Sequence, residues 1–597
     1  GIRYEGGSAT NGRITDSNIS STTGGQAILL YNGANYNTIN NVNVSNPNYI
    51  AIDLQANIIG TVIANSTLSS NGGLYGIRVY GSSHNNTITN TSVTTAGATH
   101  GVYVTSSSAN VSIDCQDKSI IGTNTTSTYG VYSDSFNTTI RNCQISNFES
   151  GIKIDSTTSA TVRNNTVSNI TGANGYGILL CNSASSLVTN NTVNSSGPAY
   201  TSIGLSCGGP INDNTVSNNI VYAYSEAYGA IYLSLGANNN LISNNSITAI
   251  GTHGIGITYG TNNNNTLRNN TISISGSYSG IYNGLAATNL TIDCAGATIT
   301  GNNSSNSYGI YSNGFNTTIQ NCNILYFANG IYFQGAANGS VQDSNVTNNT
   351  ETGVKILASN YTSLSSSYVC FNAMDIDNSG TGNTGSNDRC DSFLDWSENG
   401  RSGCERACTT LWHRLYGNVS GLITLGNSSL YPYLYNWTTS NATNVYITDY
   451  DSSPSWYQLQ AIGKNTSNGS ASNDFVELDI ALNATSYADN INVSFSTDGS
   501  APKETRNYTI WGKLVENVPI ANSSAFNSSF KTGVLWDMSG GGSEYSNVTK
   551  QTTVWIAKVN KSATDVYGTY DFLIEIPYTL SYYQAGNNLV SLYAELE

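Results

Sequence analysis

The chain has 597 residues, a net charge of -15 and only 10% charged residues, well below the share of about 25% in ordinary soluble domains. An acidic chain that is poor in Lys and Arg cannot displace counterions from a phosphate backbone, so nucleic acid is excluded as a partner. Hydrophobic residues make up 38% and Pro only 8 residues, which excludes a disordered polar chain. No apolar run is long enough for a transmembrane segment.

A repeated short phrase predicts β-strands over about the first 365 residues. The phrase has the form apolar-polar-Asn-x-x-apolar, and a second phrase, Gly-apolar-x-apolar, alternates with it. Examples of the first are ITNTSV from Ile88, VRNNTV from Val162 and LRNNTI from Leu267, and examples of the second begin at Gly76, Gly101 and Gly254. Apolar residues at every second position indicate short strands separated by turns.

Each unit of about 25 residues holds too few strands to bury an apolar face by itself, so neighbouring units must stack. A parallel β-helix satisfies this requirement, because every coil pairs with the coils above and below it. We predict about 14–15 coils, with inward residues such as Ile77 and Val79 forming a continuous core. Asn at a recurrent turn position predicts a hydrogen-bonded ladder.

One block of the repeat is duplicated. The segment DCQDKSIIG from Asp114 corresponds to DCAGATITG from Asp293, and the two blocks remain aligned at an offset of 179 residues. The duplication covers roughly seven coils. A uniform rod is one reason to duplicate such a block, whereas a catalytic cleft does not require it.

These phrases resemble the right-handed parallel β-helix repeats of archaeal secreted and surface proteins, the NosD-like and pectate-lyase-like superfamily. The resemblance covers about residues 10–365 and rests on the phrases NNTI.NN and NTTI.NC.I..F..GI. It implies an all-β chain that begins with a right-handed parallel β-helix. It does not select a function, because the superfamily includes lyases, hydrolases, adhesins and structural proteins.

Three domains are predicted: a β-helix at 1–365, a Cys-rich cap at 366–410 and a β-sandwich at 411–597. The cap would close the open end of the solenoid. The last part contains longer alternating segments, among them DFVELDIAL, INVSFS and YDFLIEIPYTL, which predict strands of one large sandwich or of two small ones divided near residue 500. It resembles C-terminal modules of archaeal surface proteins.

All 10 cysteines are candidates for disulfide bonds. Three pairs are separated by about one coil, and a coil spacing of about 5 Å suits a disulfide. These pairs are Cys115 with Cys143, Cys181 with Cys207 and Cys294 with Cys322. Free thiols stacked in the core are the alternative. The connectivity in the cap stays open among Cys370, Cys390, Cys404 and Cys408.

Calcium is the one candidate cofactor. The segment DIDNSGTGN places Asp375, Asp377 and Ser379 at positions 1, 3 and 5 of a calcium-binding loop. Ser386 stands at position 12, where a bidentate Glu is required. An ordinary turn rich in Asp and Asn is the alternative interpretation.

Enzymatic chemistry is not predicted. Lyases on this fold need acidic residues on adjacent coils together with a basic residue, and glycoside hydrolases need paired carboxylates. Acidic residues are sparse in the repeat region and form no cluster on consecutive coils. We therefore expect that the chain is not an enzyme. His100 and His253, each directly before a Gly, are interpreted as turn residues.

Tyrosine recurs at the outward position of the Gly-apolar-x phrase, at Tyr103, Tyr132, Tyr282, Tyr311 and Tyr332. Arg78, Lys153 and Lys355 take the same position in other coils. This stripe is interpreted either as a surface for sugar rings or a neighbouring subunit, or as the ordinary preference of Tyr for strands.

Sequons of the form Asn-x-Ser/Thr run from Asn18 to Asn560. Together with the even number of cysteines, they indicate an extracellular, oxidising compartment, although a chain rich in Asn and Thr also produces sequons by chance. The candidate glycosylation sites include Asn18, Asn65, Asn90, Asn137, Asn164, Asn316, Asn427, Asn507 and Asn547.

The sequence therefore predicts a structural subunit of a glycosylated archaeal cell-surface assembly, a filament or S-layer-like layer built from copies of the chain. A terminal segment such as 587–597 would extend a sheet of the next copy. An adhesin or carbohydrate-binding surface protein is the alternative, with glycans or other surface proteins as partners. A polysaccharide lyase or hydrolase is the third interpretation.

Overall fold

The computed structural model divides the chain into two units, residues 1–405 and 406–597. In the first unit, the described residues are all except 23, 73, 98, 171, 173, 196–200, 285–286, 399–400 and 405. In the second unit, the described residues are 408, 412–419, 442–448, 454–462, 474–481, 490–497, 501–523, 530–540, 553–561, 563–565, 568–577 and 591–596.

The first unit is a parallel β-helix of roughly 15 turns, which confirms the predicted fold class. One strand of each coil joins a 17-stranded parallel sheet, which we call sheet 1. Its strands are Ile2–Glu5, Ile28–Tyr31, Ile52–Gln55, Tyr75–Tyr80, His100–Val104, Tyr129–Ser133, Ser150–Asp155, Tyr176–Cys181, Thr201–Leu205, Gly229–Ser234, Ile255–Thr258, Ser279–Asn283, Tyr308–Ser312, Asn329–Gln334, Thr352–Leu357, Met374–Asn378 and Phe393–Leu394.

The rest of each coil contributes to a bent sheet of 31 strands, which we call sheet 2. Most coils give it two short strands, and only its last pair is antiparallel. The strands are Arg13–Ser20, Thr38–Asn46, Val62–Ala64, Thr67–Ser70, Thr87–Thr89, Ser92–Thr95, Ser112–Asp114, Ser119–Ile121, Thr139–Arg141, Gln144–Ser146, Thr161–Arg163, Thr166–Ser168, Leu187–Thr189, Thr192–Ser195, Thr215–Ser217, Ile220–Tyr224, Leu241–Ser243, Ser246–Ile250, Thr266–Arg268, Thr271–Ser275, Thr291–Asp293, Thr298–Thr300, Thr318–Gln320, Asn323–Leu325, Ser340–Gln342, Asn345–Thr347, Ser363–Ser365, Tyr368–Cys370, Thr384–Ser386, Ser397–Glu398 and Arg401–Ser402. A small parallel pair joins Ile211–Asn212 to Ala237–Asn238.

The core is a column of aliphatic residues that continues from coil to coil. Ile77 pairs in register with Val102, and Val102 with Val131, and all three side chains are fully buried. Ile77 and Val79 lie inside, as predicted. Stacking these aliphatic side chains removes almost all of their apolar area from water, which is the main stabilising contribution.

The coil turns a corner inside sheet 2 at an Asn with positive φ, for example Asn90 at 44° and Asn164 at 56°. Asn tolerates this left-handed conformation better than other non-Gly residues. In several coils a second Asn follows, and its side chain is buried. The predicted ladder is present: Asn191 Nδ2 donates to Asn219 Oδ1 and Asn219 Nδ2 to Asn245 Oδ1, each at 3.0 Å.

Disulfides join successive coils at three places. Cys115 bonds to Cys143, Cys181 to Cys207 and Cys294 to Cys322, with Cα atoms 4.8, 5.2 and 4.7 Å apart. These are the pairs that the coil spacing predicts. In the Cys-rich segment Cys390 bonds to Cys404, and Cys370 and Cys408 are also disulfide-bonded.

Parallel pairing continues beyond residue 365. The strand Met374–Asn378 pairs with Thr352–Leu357, and Thr384–Ser386 pairs with Ser363–Ser365. The last coils of the solenoid therefore lie within the segment interpreted as a cap. The domain boundaries at 365 and 410 stay a prediction.

The second unit contains antiparallel sheets. The largest holds Ala442–Thr448, Leu459–Ala461, Thr505–Ile510, Lys513–Asn522, Lys531–Asp537, Thr553–Lys558 and Ser591–Leu596. Two further pairs join Trp412–Gly417 to Phe572–Pro577 and Ala563–Asp565 to Gly568–Tyr570. The predicted C-terminal strand Ser591–Leu596 already pairs with Ala442–Thr448 of its own chain.

Two segments predicted as strands are α-helices, Asp474–Ala481 and Ile491–Phe495, and two 3-10 turns cover Trp456–Gln458 and Met538–Gly540. Phe475 and Leu478 are buried at helical spacing, which alternation alone does not reveal. The Asp479 carboxylate accepts the N–H groups of Ile491 and Asn492, and so it favours the start of the second helix. Among the described residues, no helix is both long and apolar enough to cross a membrane.

Candidate functional site

The outward surface of sheet 1 carries aromatic side chains in register on successive coils. Arg78 pairs with Tyr103, Tyr103 with Tyr132 and Tyr132 with Lys153. Strand alternation directs these residues outward, while their neighbours fill the core. The first strip consists of Tyr75, His100, Tyr103, Tyr129 and Tyr132.

Rings of the first strip stack along the solenoid axis. The Tyr103 and Tyr132 centroids are 4.4 Å apart with an interplanar angle of 10°, and His100 and Tyr129 are 5.1 Å apart at 9°. Tyr75 lies 4.6 Å from Tyr103. This spacing matches the distance between neighbouring strands, so the parallel sheet itself sets the stacking.

Ion-paired cations lie at both ends of the first strip. The Arg78 guanidinium lies 5.7 Å from the Tyr75 ring and forms a bidentate pair with the buried Asp53 at 2.9 and 2.7 Å. The Lys153 amine lies 5.7 Å from the Tyr132 ring and 2.9 Å from an Asp155 carboxylate oxygen. Cation–π contacts therefore cover the outer faces of the end rings.

A second strip lies farther along the same sheet and consists of His253, Tyr282, Tyr308, Tyr311 and Tyr332. Tyr282 and Tyr311 stack at 4.8 Å and 4°, and Tyr308 stacks on Tyr332 at 5.3 Å. The Lys355 amine lies 5.7 Å from the Tyr332 ring and 3.6 Å from Asp377. This strip shares a stacked tyrosine pair and a terminal lysine with the first one, but its outward row is one tyrosine longer.

The strips are uncharged near neutral pH. Burial raises the pKa of Tyr103 and of Tyr311 to about 12, and burial also raises the pKa of Tyr132. Burial lowers the pKa of His100 and of His253 to about 4. The phenols therefore keep their protons, and both imidazoles are neutral.

Both histidines are fixed by the neighbouring coil. His100 Nδ1 accepts the Tyr129 backbone N–H at 3.1 Å, and His253 Nδ1 accepts that of Ser279 at 2.9 Å. The neutral rings therefore carry their proton on Nε2. His100 is the first residue of a strand of sheet 1 and stacks on Tyr129, so interpreting it as a turn residue was wrong. His253 lies just before its strand, with the Tyr278 ring edge-on and the Tyr282 ring tilted beside it.

This arrangement determines which contacts a ligand can make. Because the faces of the inner rings contact each other, a sugar cannot stack on them. Tyr103, Tyr132, Tyr282 and Tyr311 are half-buried, and the Tyr311 hydroxyl donates to Gln334 Oε1 at 2.9 Å. The accessible part of each strip therefore combines ring edges with neutral phenol groups. Such a mixed surface suits uncharged hydroxyl-rich ligands.

The three candidate calcium ligands form hydrogen bonds or ion pairs with other residues of the fold. Asp375 is buried and accepts the backbone N–H groups of Asp391 and Ser392. Asp377 pairs with Lys355, and the Ser379 hydroxyl contacts the Ile356 carbonyl. Across the described part of the chain, no group of three His, Cys, Asp or Glu side chains is arranged to hold a metal ion.

The candidate glycosylation sites differ in exposure. Asn90 is half-buried. Exposed sites are Asn18, Asn65, Asn137, Asn164, Asn316 and Asn507. Asn427 and Asn547 lie outside the described residues. Several sequon Asn side chains form external ladders, as when Asn137 Nδ2 donates to Asn110 Oδ1 at 2.9 Å. A shallow surface cavity of about 300 Å³ includes Asn18 and Asn65. Glycosylation stays a prediction.

The stripe predicted from the sequence contains only one row of each strip. The second row comes from residues directly before the Gly of the Gly-apolar-x phrase, namely Tyr75, His100, Tyr129, His253 and Tyr308. That recurring aromatic-Gly pair is the signal that could have revealed it.

Comparison with known proteins identifies the solenoid. Residues 1–168, 75–232 and 150–293 match the family described as right handed beta helix region. No curated protein sequence matches the chain. A tailspike protein mutant of E. coli bacteriophage HK620 in complex with a pentasaccharide is similar in structure, with 16% identity over 59% of this chain and 69% of that chain and a TM-score of 0.39.

Two epimerases are also similar in structure. The mannuronan C-5 epimerase AlgE6 A-module of Azotobacter vinelandii has 12% identity over 60% of this chain and 91% of that chain, with a TM-score of 0.33. A periplasmic alginate epimerase mutant has 12% identity over 55% and 75%, with a TM-score of 0.26. At these identities the likeness concerns the fold alone.

The prediction that the chain is not an enzyme requires correction. The similar structures include epimerases, so the expectation that the chain is not an enzyme, which rested on the missing acidic cluster in its repeat region, does not stand. Sparse carboxylates along a β-helix do not remove carbohydrate chemistry from consideration. The family match over residues 1–293, just under half of the chain, agrees with the parallel β-helix of the first unit.

Proposed function

We propose that this protein is an extracellular cell-surface protein that binds carbohydrate through the aromatic strips of sheet 1. The observation that carries the proposal is the pair of stacked, uncharged strips, in which Tyr103 stacks on Tyr132 and Tyr282 on Tyr311. Their hydroxyls and ring edges offer the combined polar and apolar contacts that a sugar chain requires.

An extracellular location is supported by the disulfides. No free cysteine occurs among the described residues, and disulfides persist mainly in oxidising compartments. Exposed sequons such as Asn137 and Asn316 are consistent with a glycosylated surface protein.

The test is glycan binding by wild-type protein and by a variant that loses the strip hydroxyls. Y103F, Y132F, Y282F and Y311F together keep the stacked rings and remove four hydroxyls. We expect at least a tenfold loss of affinity, from several hydrogen bonds of about 1 kcal/mol each. Y361F is the matched control, because Tyr361 is 69% exposed and lies outside both strips. A wild-type protein that binds no glycan on an array would overturn the proposal.

A second candidate is a structural subunit of a glycosylated archaeal surface layer or filament. One observation favours it: Ser591–Leu596 ends the large sheet of the second unit, as far as that sheet is described, and Leu592 on that strand is 50% exposed. Edge strands can add a strand from another copy.

Electron microscopy and analytical ultracentrifugation test this candidate. A regular polymer that disappears when Leu592 is changed to Lys would support it, because charged residues protect edge strands. A protein that stays monomeric over a wide concentration range would contradict it. Glycan binding by that monomer would leave the first proposal intact.

A further inference from the structure

Three tyrosines of the first strip have counterparts in the second, whereas Tyr75 and His100 correspond to Gly254 and Ser279. The offset of 179 residues that relates the duplicated blocks takes Tyr103 to Tyr282 and Tyr132 to Tyr311. The stacking geometry is preserved as well, with centroids 4.4 Å apart in the first strip and 4.8 Å in the second. Duplication therefore kept the outward rings together with the core.

The distance between the strips follows from the strand order. Seven parallel pairings separate the strand His100–Val104 from the strand Ser279–Asn283 in sheet 1. At about 4.8 Å per strand, equivalent rings lie about 34 Å apart along one face.

The face of sheet 1 between the two strips lacks a continuous row of outward rings. Leu179, Gly204, Tyr232 and Gly256 occupy the outward position in successive intervening coils. Tyr176 lies beside Gly204, and Tyr228 stacks on Tyr232 at 4.9 Å. Leu179, Gly204 and Gly256 interrupt the outward row of rings, and Tyr232 is only 1% exposed, so the accessible rings form two separate strips. Because both belong to one continuous sheet, their spacing is fixed.

The charges beside the strips are balanced. Arg78 pairs with Asp53 at 2.7 Å, Lys153 with Asp155 at 2.9 Å and Lys355 with Asp377 at 3.6 Å. Asp134 adds a further carboxylate, which accepts the Thr105 hydroxyl. A polyuronate would meet no unpaired cation in these groups and would be repelled by the net charge of -15.

We propose that the two strips bind one chain of an uncharged polysaccharide at two related subsites about 34 Å apart. This inference rests on the proposed carbohydrate-binding function and specifies its ligand. A chain that spans both strips gains from the high effective concentration of its second segment, whereas a short oligosaccharide occupies each strip independently.

The experiment uses neutral linear glucans of increasing length, with alginate of matched length as the acidic probe. Calorimetry should give two independent sites for a short glucan. A glucan longer than the spacing should bind at least about 100-fold more tightly. Alginate should bind more weakly than the neutral chain of the same length.

Variants of one strip make the test specific. Y103F with Y132F should reduce the short-glucan stoichiometry from two to one and remove the length-dependent gain. Y282F with Y311F should do the same, and Y361F should do neither. Equal affinity for short and long glucans, or stronger binding of alginate, would overturn this inference while leaving carbohydrate binding intact. Failure of every glycan to bind would overturn the proposed function itself.

Discussion

At the scale of single residues, the sequence motif Asn-Asn-Thr is a structural unit of the corner in sheet 2. The first Asn adopts positive φ, as Asn164 and Asn190 do at 56° and 54°. The second is buried: Asn165 and Asn191 are each 1% exposed. Thr then begins the next strand. The same three residues also make a sequon, so the demands of the corner account for many of the sequons in the chain.

Removing one buried rung tests the importance of the ladder. Asn219 Oδ1 accepts both the backbone N–H and the side-chain amide of Asn191, and its Nδ2 donates to the Val188 carbonyl. Asn219→Ala leaves these buried groups without a partner, and we expect a loss of about 2–3 kcal/mol in unfolding free energy. Urea denaturation measures it.

The control for this variant is Asn194→Ala, because Asn194 lies on an exposed outward position of the same solenoid. Surface changes of this kind usually alter stability by less than about 0.5 kcal/mol. Equal effects of the two variants would show that the ladder contributes nothing specific.

At the scale of elements, most coils have a glycine where sheet 1 begins, although Ser202 and Ala230 take that position in two coils. A Cβ on Gly101 would lie about 2.5 Å from Ile120 Cγ2 and also collide with the Gly130 carbonyl of the next coil. The Gly-apolar phrase thus marks a close approach of backbone to side chain, and not a need for positive φ. The sequence alone showed that a glycine recurs there, but only the stacked coils show the reason.

Gly101→Ala should therefore destabilise the solenoid by about 1–3 kcal/mol, the usual cost of overpacking. Gly7→Ala is the control, because a Cβ at Gly7 would have no atom within 4 Å. Thermal unfolding followed by circular dichroism compares them. A melting temperature of Gly101→Ala equal to that of the control would contradict the steric account.

The duplicated disulfides provide an internal comparison. Cys115–Cys143 and Cys294–Cys322 each close a loop with a sequence separation of 28 residues. Replacing both cysteines of either pair with Ser should cost about 3–4 kcal/mol in the chain-entropy description. The two double variants should agree within about 0.5 kcal/mol, since loop length and surroundings match. Chemical denaturation without reductant measures the free energy of unfolding of both double variants. A large difference between them would mean that strain or local packing, and not loop length, determines the contribution of each disulfide.

At the scale of the whole molecule, the repeat made the solenoid predictable and the second unit much less so. Strand pairing in the β-helix follows from phrases that recur coil after coil, as with Ile77, Val102 and Val131. No such repetition supports the second unit, where Asp474–Ala481 is a helix although its apolar residues partly alternate. The outward tyrosines of the site were predictable, and the aromatic residues before Gly carried a signal for the second row. The stacking of His100 on Tyr129 could not be predicted, because it depends on which side chains meet across neighbouring coils.

Buried carboxyl groups predict how stability depends on pH. Burial raises the pKa of Glu226 to about 8, and burial beside Glu398 also raises the pKa of Asp388. A raised carboxyl pKa means that the folded state holds the proton more tightly than the unfolded chain, so the stabilisation is complete at acid pH. It is lost as pH rises from about 4.5 through about 8.

Glu226→Gln should reduce this alkaline loss, because an amide has no proton to release in that range. Melting temperatures at pH 5 and pH 9 should differ less in the variant than in the wild type. The exposed Glu351 provides the control variant, Glu351→Gln. An unchanged pH dependence in Glu226→Gln would show that this carboxyl is not responsible.

The regular stacking of coils means that distances along the face of sheet 1 are multiples of the strand spacing. Every coil adds one division of about 4.8 Å, so insertion or deletion of a whole coil between the strips changes their separation by that increment and leaves each strip intact. Such a scaffold can be tuned to ligands of different lengths in discrete steps. Unequal exchange of repeats would then let selection act on the separation between the two strips, just as point mutation lets selection act on a single side chain.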